Sequence, residues 1–150
     1  MRLSLDGKKK RRLLWVLFVL YLAMLLLLLF HRTPRGERAC NLVPLYTIRN
    51  WMDFFFRDDP LAASLRRFSI LNLAGNLFVL LPMGIFLPIL FPRMRYFLHF
   101  LLCATAFVCL VEALQFVSRR GALDVDDLIL NDPGACLGWL IWRLWRKKDA

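Results

Sequence analysis

The chain has 150 residues, of which 59% are hydrophobic and 21% are charged, and its formal net charge is +10. A hydrophobic share well above the roughly 45–50% of soluble domains excludes an ordinary soluble fold, and the length suits one domain. The positive charge could indicate a nucleic-acid partner, but the basic residues flank apolar runs, as they do in membrane proteins. We therefore expect a lipid bilayer as the environment and no nucleic acid as a partner.

Four apolar runs predict an all-α, polytopic membrane protein with a four-transmembrane-helix bundle. A spanning helix needs about 20 apolar residues because the hydrocarbon core is about 30 Å thick. The predicted helices cover about residues 13–30, 68–91, 96–117 and 125–145. They divide the chain into a basic cytoplasmic tail (1–12), a transmembrane domain (13–146) and, within that domain, a long loop (31–67) between helices one and two.

The first predicted helix is apolar on all sides, which favours an anchor that faces lipid. In the long loop, an aromatic stretch over residues 46–56 suits the membrane–water boundary. Two interpretations stay open for this stretch: a short helix lying on the membrane surface, and a loop packed over the bundle.

The second predicted helix carries polar residues and prolines that favour an inward-facing side. Asn72 and Asn76 are four residues apart and share a face, and Gly75 permits the close approach of a neighbour. Pro82 and Pro88 interrupt the backbone hydrogen bonds, and the freed carbonyl groups must be satisfied within the protein or by water. The alternative is that the asparagines only join helices through hydrogen bonds.

The junction between helices three and four holds most of the candidate functional residues. Glu112, Gln115 and Arg119 fall on one stripe of helix three. Ionisable groups at membrane depth are costly, so they indicate a functional site by default. A buried carboxylate needs a partner, and Arg119 and Arg120 are the nearest candidates along the chain.

Helix four contributes a second polar face. Its start is acidic, which suits the positive end of the helix dipole. Asp127 and Asn131 then share one face with two glycines. Because Gly134 and Gly138 are four residues apart, they form a close-packing motif that favours burial of this face.

Lysine and arginine counts predict that both termini lie in the cytoplasm. Four spans place both termini on one side, which holds 12 Lys and Arg residues against nine on the other side. The basic block at 8–12 abuts the first helix and should dominate, whereas Arg66 and Arg67 count against this orientation. The cluster around Glu112 and Asn131 then faces outward.

Short motifs follow one another along the chain in a specific order. They are Asn41-Leu42-Val43-Pro44-Leu45, Gly75-Asn76-Leu77-Phe78, Pro82-Met83-Gly84, Glu112 with Gln115, Asp124 to Asp127, Asn131, and Gly134 with Gly138. This ordered set covers about residues 38–142 and resembles the VanZ-like family. The resemblance implies a small multi-pass protein of the bacterial plasma membrane, and a role like that of the founding type in resistance to teicoplanin-type glycopeptide antibiotics.

The resemblance also implies a set of site residues. The family's polar positions fall on Asn41, Asn76, Glu112, Gln115, Arg120, Asp124, Asp127 and Asn131. One departure is that Asp132 and Pro133 follow the last of these, where the family pattern has threonine.

The first functional hypothesis is an enzyme that acts on a lipid-linked cell-wall precursor at the outer leaflet. Glu112 would work with one of the acids Asp124, Asp126 and Asp127, because carboxyl groups in different surroundings can serve as acid and base. Substrate would be bound by Asn41, Asn76, Gln115, Arg119, Arg120 and Asn131. Mg²⁺ or Ca²⁺, which prefer oxygen ligands, would bind Asp124, Asp126 and Asp127 if either ion is used.

Two other hypotheses stay open. A non-catalytic binding protein would hold a lipid headgroup or a lipoglycopeptide in the same cluster. Alternatively, the cluster would be a purely structural network, since a half-paired buried network is unfavourable. Its members, which would satisfy one another, are Glu112, Gln115, Arg120 and Asn131.

Overall fold

The computed structural model describes residues 2–31, 40–56, 60–121 and 123–148. The apolar runs within these ranges fold into long helices. The elements in chain order are α1 (Arg2–Phe30), β1 (Cys40–Asn41), α2 (Tyr46–Phe55), α3 (Pro60–Val79), α4 (Leu81–Leu90), a 3₁₀ helix (Pro92–Arg95), α5 (Phe97–Val117), β2 (Leu123–Asp124) and α6 (Val125–Lys148). The described chain is therefore mostly helical.

Three helical stretches are long and apolar enough to cross a membrane: Gly7–Leu28, Ile70–Leu90 and Phe97–Val117. The fourth predicted span, α6, is not among them, although its 24 residues would reach about 36 Å. Its first turns carry Asp126, Asp127 and Asp132, which make it more polar than the other three. Length and composition thus show three candidate spans in the described residues, where the sequence predicted a bundle of four.

The region predicted as a long loop, 31–67, contains regular structure. It includes β1, α2 and the first turns of α3, which begins at Pro60. The apolar run begins only after residue 67, but proline suits the first position of a helix and alanine favours its interior, so the helix starts earlier. Of the two interpretations for residues 46–56, the structure has a helix, α2.

The second predicted helix, 68–91, is two helices rather than one, because α3 ends at Val79 and α4 begins two residues later. Pro82 lacks a backbone donor and clashes with the preceding turn, which breaks a helix at this point. The hydroxyl group of Tyr21 on α1 donates a hydrogen bond to the carbonyl oxygen of Val79 at 2.8 Å. A side chain from another helix therefore satisfies an acceptor at the break.

One stripe of α1 packs against the rest of the protein, so this helix does more than face lipid. Phe18, Tyr21 and Leu25 are buried, whereas many leucines on its other sides are exposed. Trp15 meets Phe91 with ring centroids 5.3 Å apart. The first part of α1 therefore lies beside the end of α4.

Glycines bring the backbone of α6 into contact with α3 and α4. A Cβ atom at Gly134 would clash with the carbonyl oxygen of Leu77, and one at Gly138 would clash with that of Leu81. Gly84 on α4 is enclosed in the same way by the backbone of α6. The predicted close-packing motif thus lies at a helix–helix interface.

The packed helices form two ends that differ in their charged residues. The indole nitrogen of Trp139 on α6 donates to the carbonyl oxygen of Met94 in the 3₁₀ helix at 3.0 Å. The last part of α6 therefore lies at the end where α4 stops and α5 starts, which we call the arginine end after Arg95 and Arg143. The junction of α5 and α6, with Glu112 and Asp127, is the acidic end. The 15 residues from the start of α5 to Glu112 separate the two ends by about 22 Å.

Candidate functional site

The candidate site begins where the segment before α2 meets the start of α6. Strands β1 and β2 pair in parallel, with Asn41 opposite Asp124. The side-chain amide of Asn41 donates to Asp124 Oδ1 at 3.0 Å, and the hydroxyl group of Thr47 donates to Asp124 Oδ2 at 2.6 Å. Two predicted site residues that are 83 positions apart therefore hold each other in place.

Asp126 caps α2 from across the fold. Its side chain is fully buried, and its carboxylate accepts hydrogen bonds from the backbone N–H groups of Leu45, Thr47 and Ile48 at 2.5, 2.7 and 3.1 Å. A carboxylate is favoured at a helix N-terminus because unpaired N–H groups and the positive end of the helix dipole meet there. Asp126 therefore positions α2, and its oxygens are already occupied.

Glu112 is buried within α5 and faces other acids. Its Oε2 atom accepts a hydrogen bond from the backbone N–H of Asp124 at 3.4 Å. Among the described residues, the charged groups that act on Glu112 are Asp127 and Asp124, and the Glu112 side chain is hydrogen-bonded to that of Asp127. Because neighbouring carboxylates repel each other, a donor group between these two would be stabilised.

Two asparagines complete the cluster around Asp127. The side-chain amide of Asn76 donates to Asp127 Oδ1 at 2.5 Å, and that of Asn131 donates to the Asp127 backbone carbonyl at 2.8 Å. The other amide atom of Asn131, Oδ1, is buried and has no hydrogen-bond partner within the described part of the chain. A buried acceptor without a partner is unfavourable, so a donor from water or a ligand would be stabilised here.

The acid pair lines a small polar cavity of about 40 Å³, which we call the acid recess. Its lining residues are Asn76, Val79, Leu80, Phe107, Val108, Val111, Glu112, Gln115, Asp127 and Asn131. Half of these side chains are polar, and the volume admits roughly three water molecules. The acid recess therefore suits one small polar group rather than a whole headgroup.

An apolar groove of about 430 Å³ opens beside the acid recess, between α1 and α3. It is lined by Tyr21, Met24, Leu25, Leu28, Leu71, Asn72, Gly75, Asn76, Phe78, Val79, Pro82 and Gln115. Three of these residues, Asn76, Val79 and Gln115, also line the acid recess. The polar and apolar spaces are therefore adjacent, as the two parts of an amphiphile require.

Neither predicted arginine lines the acid recess. α5 ends in a turn in which Arg119 has a positive φ of 60° and the N–H of Arg120 donates to the carbonyl oxygen of Gln115 at 2.9 Å. The side chain of Arg119 is exposed, and the guanidinium group of Arg120 donates to the carbonyl oxygen of Phe30. The turn thus directs both arginines elsewhere, and the predicted arginine partner of Glu112 is absent among the described residues.

The three aspartates suggested as metal ligands do not form a metal site. Among the described residues, no group of three His, Cys, Asp or Glu side chains is arranged to hold a metal ion. Asp124 binds Asn41 and Thr47, Asp126 binds backbone N–H groups, and Asp127 faces Glu112. Neighbouring residues at the start of a helix point in different directions, which is why their closeness in sequence was misleading.

Two threonines that the sequence analysis missed hold acids in place. Thr47 binds Asp124, and the hydroxyl group of Thr105 on α5 donates to Asp132 Oδ2 at 2.6 Å. Asp132 is the acid that departs from the family pattern, and it does not line the acid recess. Thr105 interrupts an apolar run, and that interruption was the signal that could have singled it out.

Together with the three candidate spans, this arrangement defines a helical membrane-type protein with a buried polar cluster at one end. The chain belongs to the VanZ/LLP1 family, which matches residues 15–146. The family resemblance in the sequence is thereby confirmed. Comparisons with curated proteins and with solved structures gave no match.

Proposed function

We propose that the chain is a multi-pass protein of the bacterial plasma membrane, in which α6 is a fourth span and both termini lie in the cytoplasm. α6 is long enough to cross, and its acids are engaged within the protein. Asp126 is fully buried, and Asp132 is hydrogen-bonded to Thr105. Acids that are directed into a bundle, as these contacts direct Asp126 and Asp132, do not have to meet hydrocarbon, which makes a crossing by this helix acceptable.

Within that arrangement, the protein binds an amphiphile whose hydrocarbon chain lies in the apolar groove and whose polar group enters the acid recess. The observation that carries this proposal is the sharing of Asn76, Val79 and Gln115 by the two spaces. Pockets for small molecules are mostly apolar, with a few polar groups that fix orientation, and this pair of spaces has that composition.

The chemistry of the acid recess favours a hydroxyl or ammonium group over a phosphate. Its acceptors include the carboxyl groups of Glu112 and Asp127 and the unpaired Oδ1 of Asn131, and none of its lining residues is an arginine. A donor would satisfy that oxygen, whereas an anion would be repelled by the acids. Lipoglycopeptides combine such donors with a hydrocarbon chain, whereas lipid-linked cell-wall precursors carry an anionic diphosphate next to the chain. A role in teicoplanin-type resistance would follow from this binding.

Amphiphiles with one chain and different headgroups test the binding. Native mass spectrometry of the purified protein in a polyoxyethylene detergent should show tighter binding of dodecylamine or dodecyl glucoside than of dodecyl phosphate. Glu112→Gln should weaken dodecylamine binding by about tenfold or more, because a hydrogen bond to a charged group is lost. Gly75→Leu, which fills the apolar groove, should weaken dodecylamine and dodecyl glucoside alike, and Leu102→Ala on the exposed side of α5 is the control.

The same experiment can overturn the proposal. Equal binding of dodecyl phosphate would show that the acid recess does not select the headgroup. Unchanged binding in Gly75→Leu would show that the apolar groove does not hold the chain.

Resistance needs a separate test in cells. In a susceptible Gram-positive host, the wild-type protein should raise the inhibitory concentration of teicoplanin, and Glu112→Gln at an equal membrane level should not. An unchanged inhibitory concentration with the wild type would remove the resistance role and leave the binding measurement to stand by itself.

The contact between Glu112 and Asp127 favours a membrane enzyme as a second candidate. Two carboxyl groups that share a proton can supply an acid and a base. Asp124 would then position Glu112 through its backbone N–H group, since its own carboxylate is bound by Asn41 and Thr47. A lipid-linked cell-wall precursor that changes mass in proteoliposomes with the wild type, and not with Asp127→Asn, would establish turnover. If the mass of the precursor did not change with the wild type, the enzyme candidate would fail and binding would remain as the proposed function.

A further inference from the structure

A second hollow lies at the arginine end, about 22 Å along α5 from the acid recess. Its volume is about 470 Å³, and its lining residues are Arg95, Tyr96, Phe97, Trp139, Trp142, Arg143 and Arg146. Three of the seven residues are arginines and none is acidic, so this hollow attracts anions, whereas the acid recess repels them.

Aromatic side chains hold two of the arginines. The guanidinium carbon of Arg143 lies 5.2 Å from the ring centroid of Trp139, and that of Arg146 lies 5.7 Å from the ring centroid of Trp142. Both tryptophans are buried, and Trp139 is fixed by the hydrogen bond from its indole nitrogen to the 3₁₀ helix. A guanidinium group above an aromatic ring keeps its in-plane N–H donors available for a ligand.

The third arginine is fixed by the backbone. Arg95 Nε donates to the carbonyl oxygen of Pro88 at 3.3 Å, which anchors the side chain. The two terminal nitrogens of its guanidinium group are then available to a ligand. Three positive groups around one hollow repel one another, and an anion among them would relieve that repulsion. The planar guanidinium group matches the oxygens of a phosphate, with which it can form paired hydrogen bonds.

We propose that this arginine-end hollow binds the phosphate of an anionic phospholipid. The hollow lies where the candidate span Ile70–Leu90 ends and the candidate span Phe97–Val117 begins, so it is placed at a membrane boundary. Tryptophan and tyrosine are enriched at such boundaries, and basic pockets between membrane helices bind anionic headgroups. This site does not depend on the proposed role of the acid recess.

Native mass spectrometry with matched lipids tests the site. Purified full-length protein should retain palmitoyl-oleoyl phosphatidylglycerol in preference to the phosphatidylcholine with the same chains. The double variant Arg143→Gln and Arg146→Gln should lose about tenfold or more in phosphatidylglycerol binding. Arg93→Gln is the matched control. Arg93 is an exposed arginine in the 3₁₀ helix that also contains Arg95, but Arg93 does not line the hollow.

Further variants keep the test decisive if the double variant fails to fold. Arg143→Lys keeps the charge and loses the planar donors, so it should give partial binding, and Arg95→Gln alone should weaken it. Equal retention of the two lipids, or an equal loss in Arg93→Gln, would overturn the proposal. Displacement of the lipid by an equal concentration of glycerol 3-phosphate would show a site for soluble phosphate and would overturn the lipid assignment.

Discussion

Asp126 and Asp127 are neighbours in the chain and have different environments. Asp126 points toward α2, is fully buried, and accepts three backbone hydrogen bonds. Asp127 points toward the acid recess, where it meets Asn76 and Glu112. The first carboxylate is fully matched by donors and the second sits beside another acid, so amide substitutions at the acidic end should have different consequences for stability and binding.

Asp126→Asn should destabilise the protein by roughly 2–4 kcal/mol, because an amide offers one acceptor oxygen where three N–H groups need acceptors. Thermal unfolding in detergent would measure this as a fall in Tm of several degrees or more. Asp53→Asn is the control, since Asp53 is an exposed acid on α2 itself. Equal Tm values for the two variants would mean that Asp126 does not hold α2.

Glu112→Gln should lower the Tm by no more than about 2 °C, because the change removes a charge that faces Asp127 and Asp124. The same variant should lose binding of dodecylamine. A purely structural network predicts the opposite pattern, a large fall in Tm with loss of folded protein. Measurements of thermal unfolding and of the amount of protein in the membrane therefore distinguish the binding role of Glu112 from a purely structural network.

At the scale of elements, α6 is the helix on which the cluster depends. Its glycines allow its backbone to touch α3 and α4, and the same face then places Asp127 beside Asn76. α5 approaches from another side through the bond between Thr105 and Asp132. The distance between the two acids of the recess is therefore set by how closely these helices pack.

Gly134→Ala should destabilise the protein by about 1–3 kcal/mol or more, because the added methyl group meets a backbone carbonyl that cannot move aside. Gly75→Ala is a sharp control. A Cβ at Gly75 meets nothing within 4 Å, and alanine is the better helix former there. Thermal unfolding should show a lower Tm for the first variant and an equal or higher Tm for the second. Equal stability of the two variants would contradict the close packing of α6.

In the whole molecule, the part of α1 around Trp15 and the last part of α6 both lie at the arginine end. The contact between Trp15 and Phe91 and the bond from Trp139 to Met94 place them there. The two polar features are at opposite ends of the helices, and they differ in charge. If the arginine end faces the cytoplasm, the acid recess opens toward the outside.

Labelling of cysteines from one side of the membrane checks this orientation. Cys40 is a free, exposed cysteine at the acidic end, next to the pairing of β1 with β2. In right-side-out vesicles, a membrane-impermeant maleimide should label Cys40, and Cys40→Ser should remove that label. In the Cys40→Ser background, Arg93→Cys should be labelled only after the membrane is permeabilised. The reverse pattern would invert the topology.

Part of the fold and of the site could be predicted from the sequence. The run from Phe97 to Val117 is apolar and about 20 residues long, so its identity as a helix follows from local composition. Spacing along a helix placed Asp127 and Asn131 on one face. α6 was harder to classify, because the acids in its first turns, which include Asp127 of the polar cluster, make the helix more polar than an ordinary membrane span.

That this is a helical membrane-type chain of one family follows from its sequence, because apolar length, helical spacing and motif order are local properties of the chain. Three features became visible only in the folded protein: which aspartate caps α2, which one meets Glu112, and that Arg120 binds the end of α1 instead of Glu112. These choices join residues that are far apart in sequence. These contacts depend on the break at Pro82 and on how closely α6 packs against its neighbours. No local sequence pattern determines the distance between packed helices.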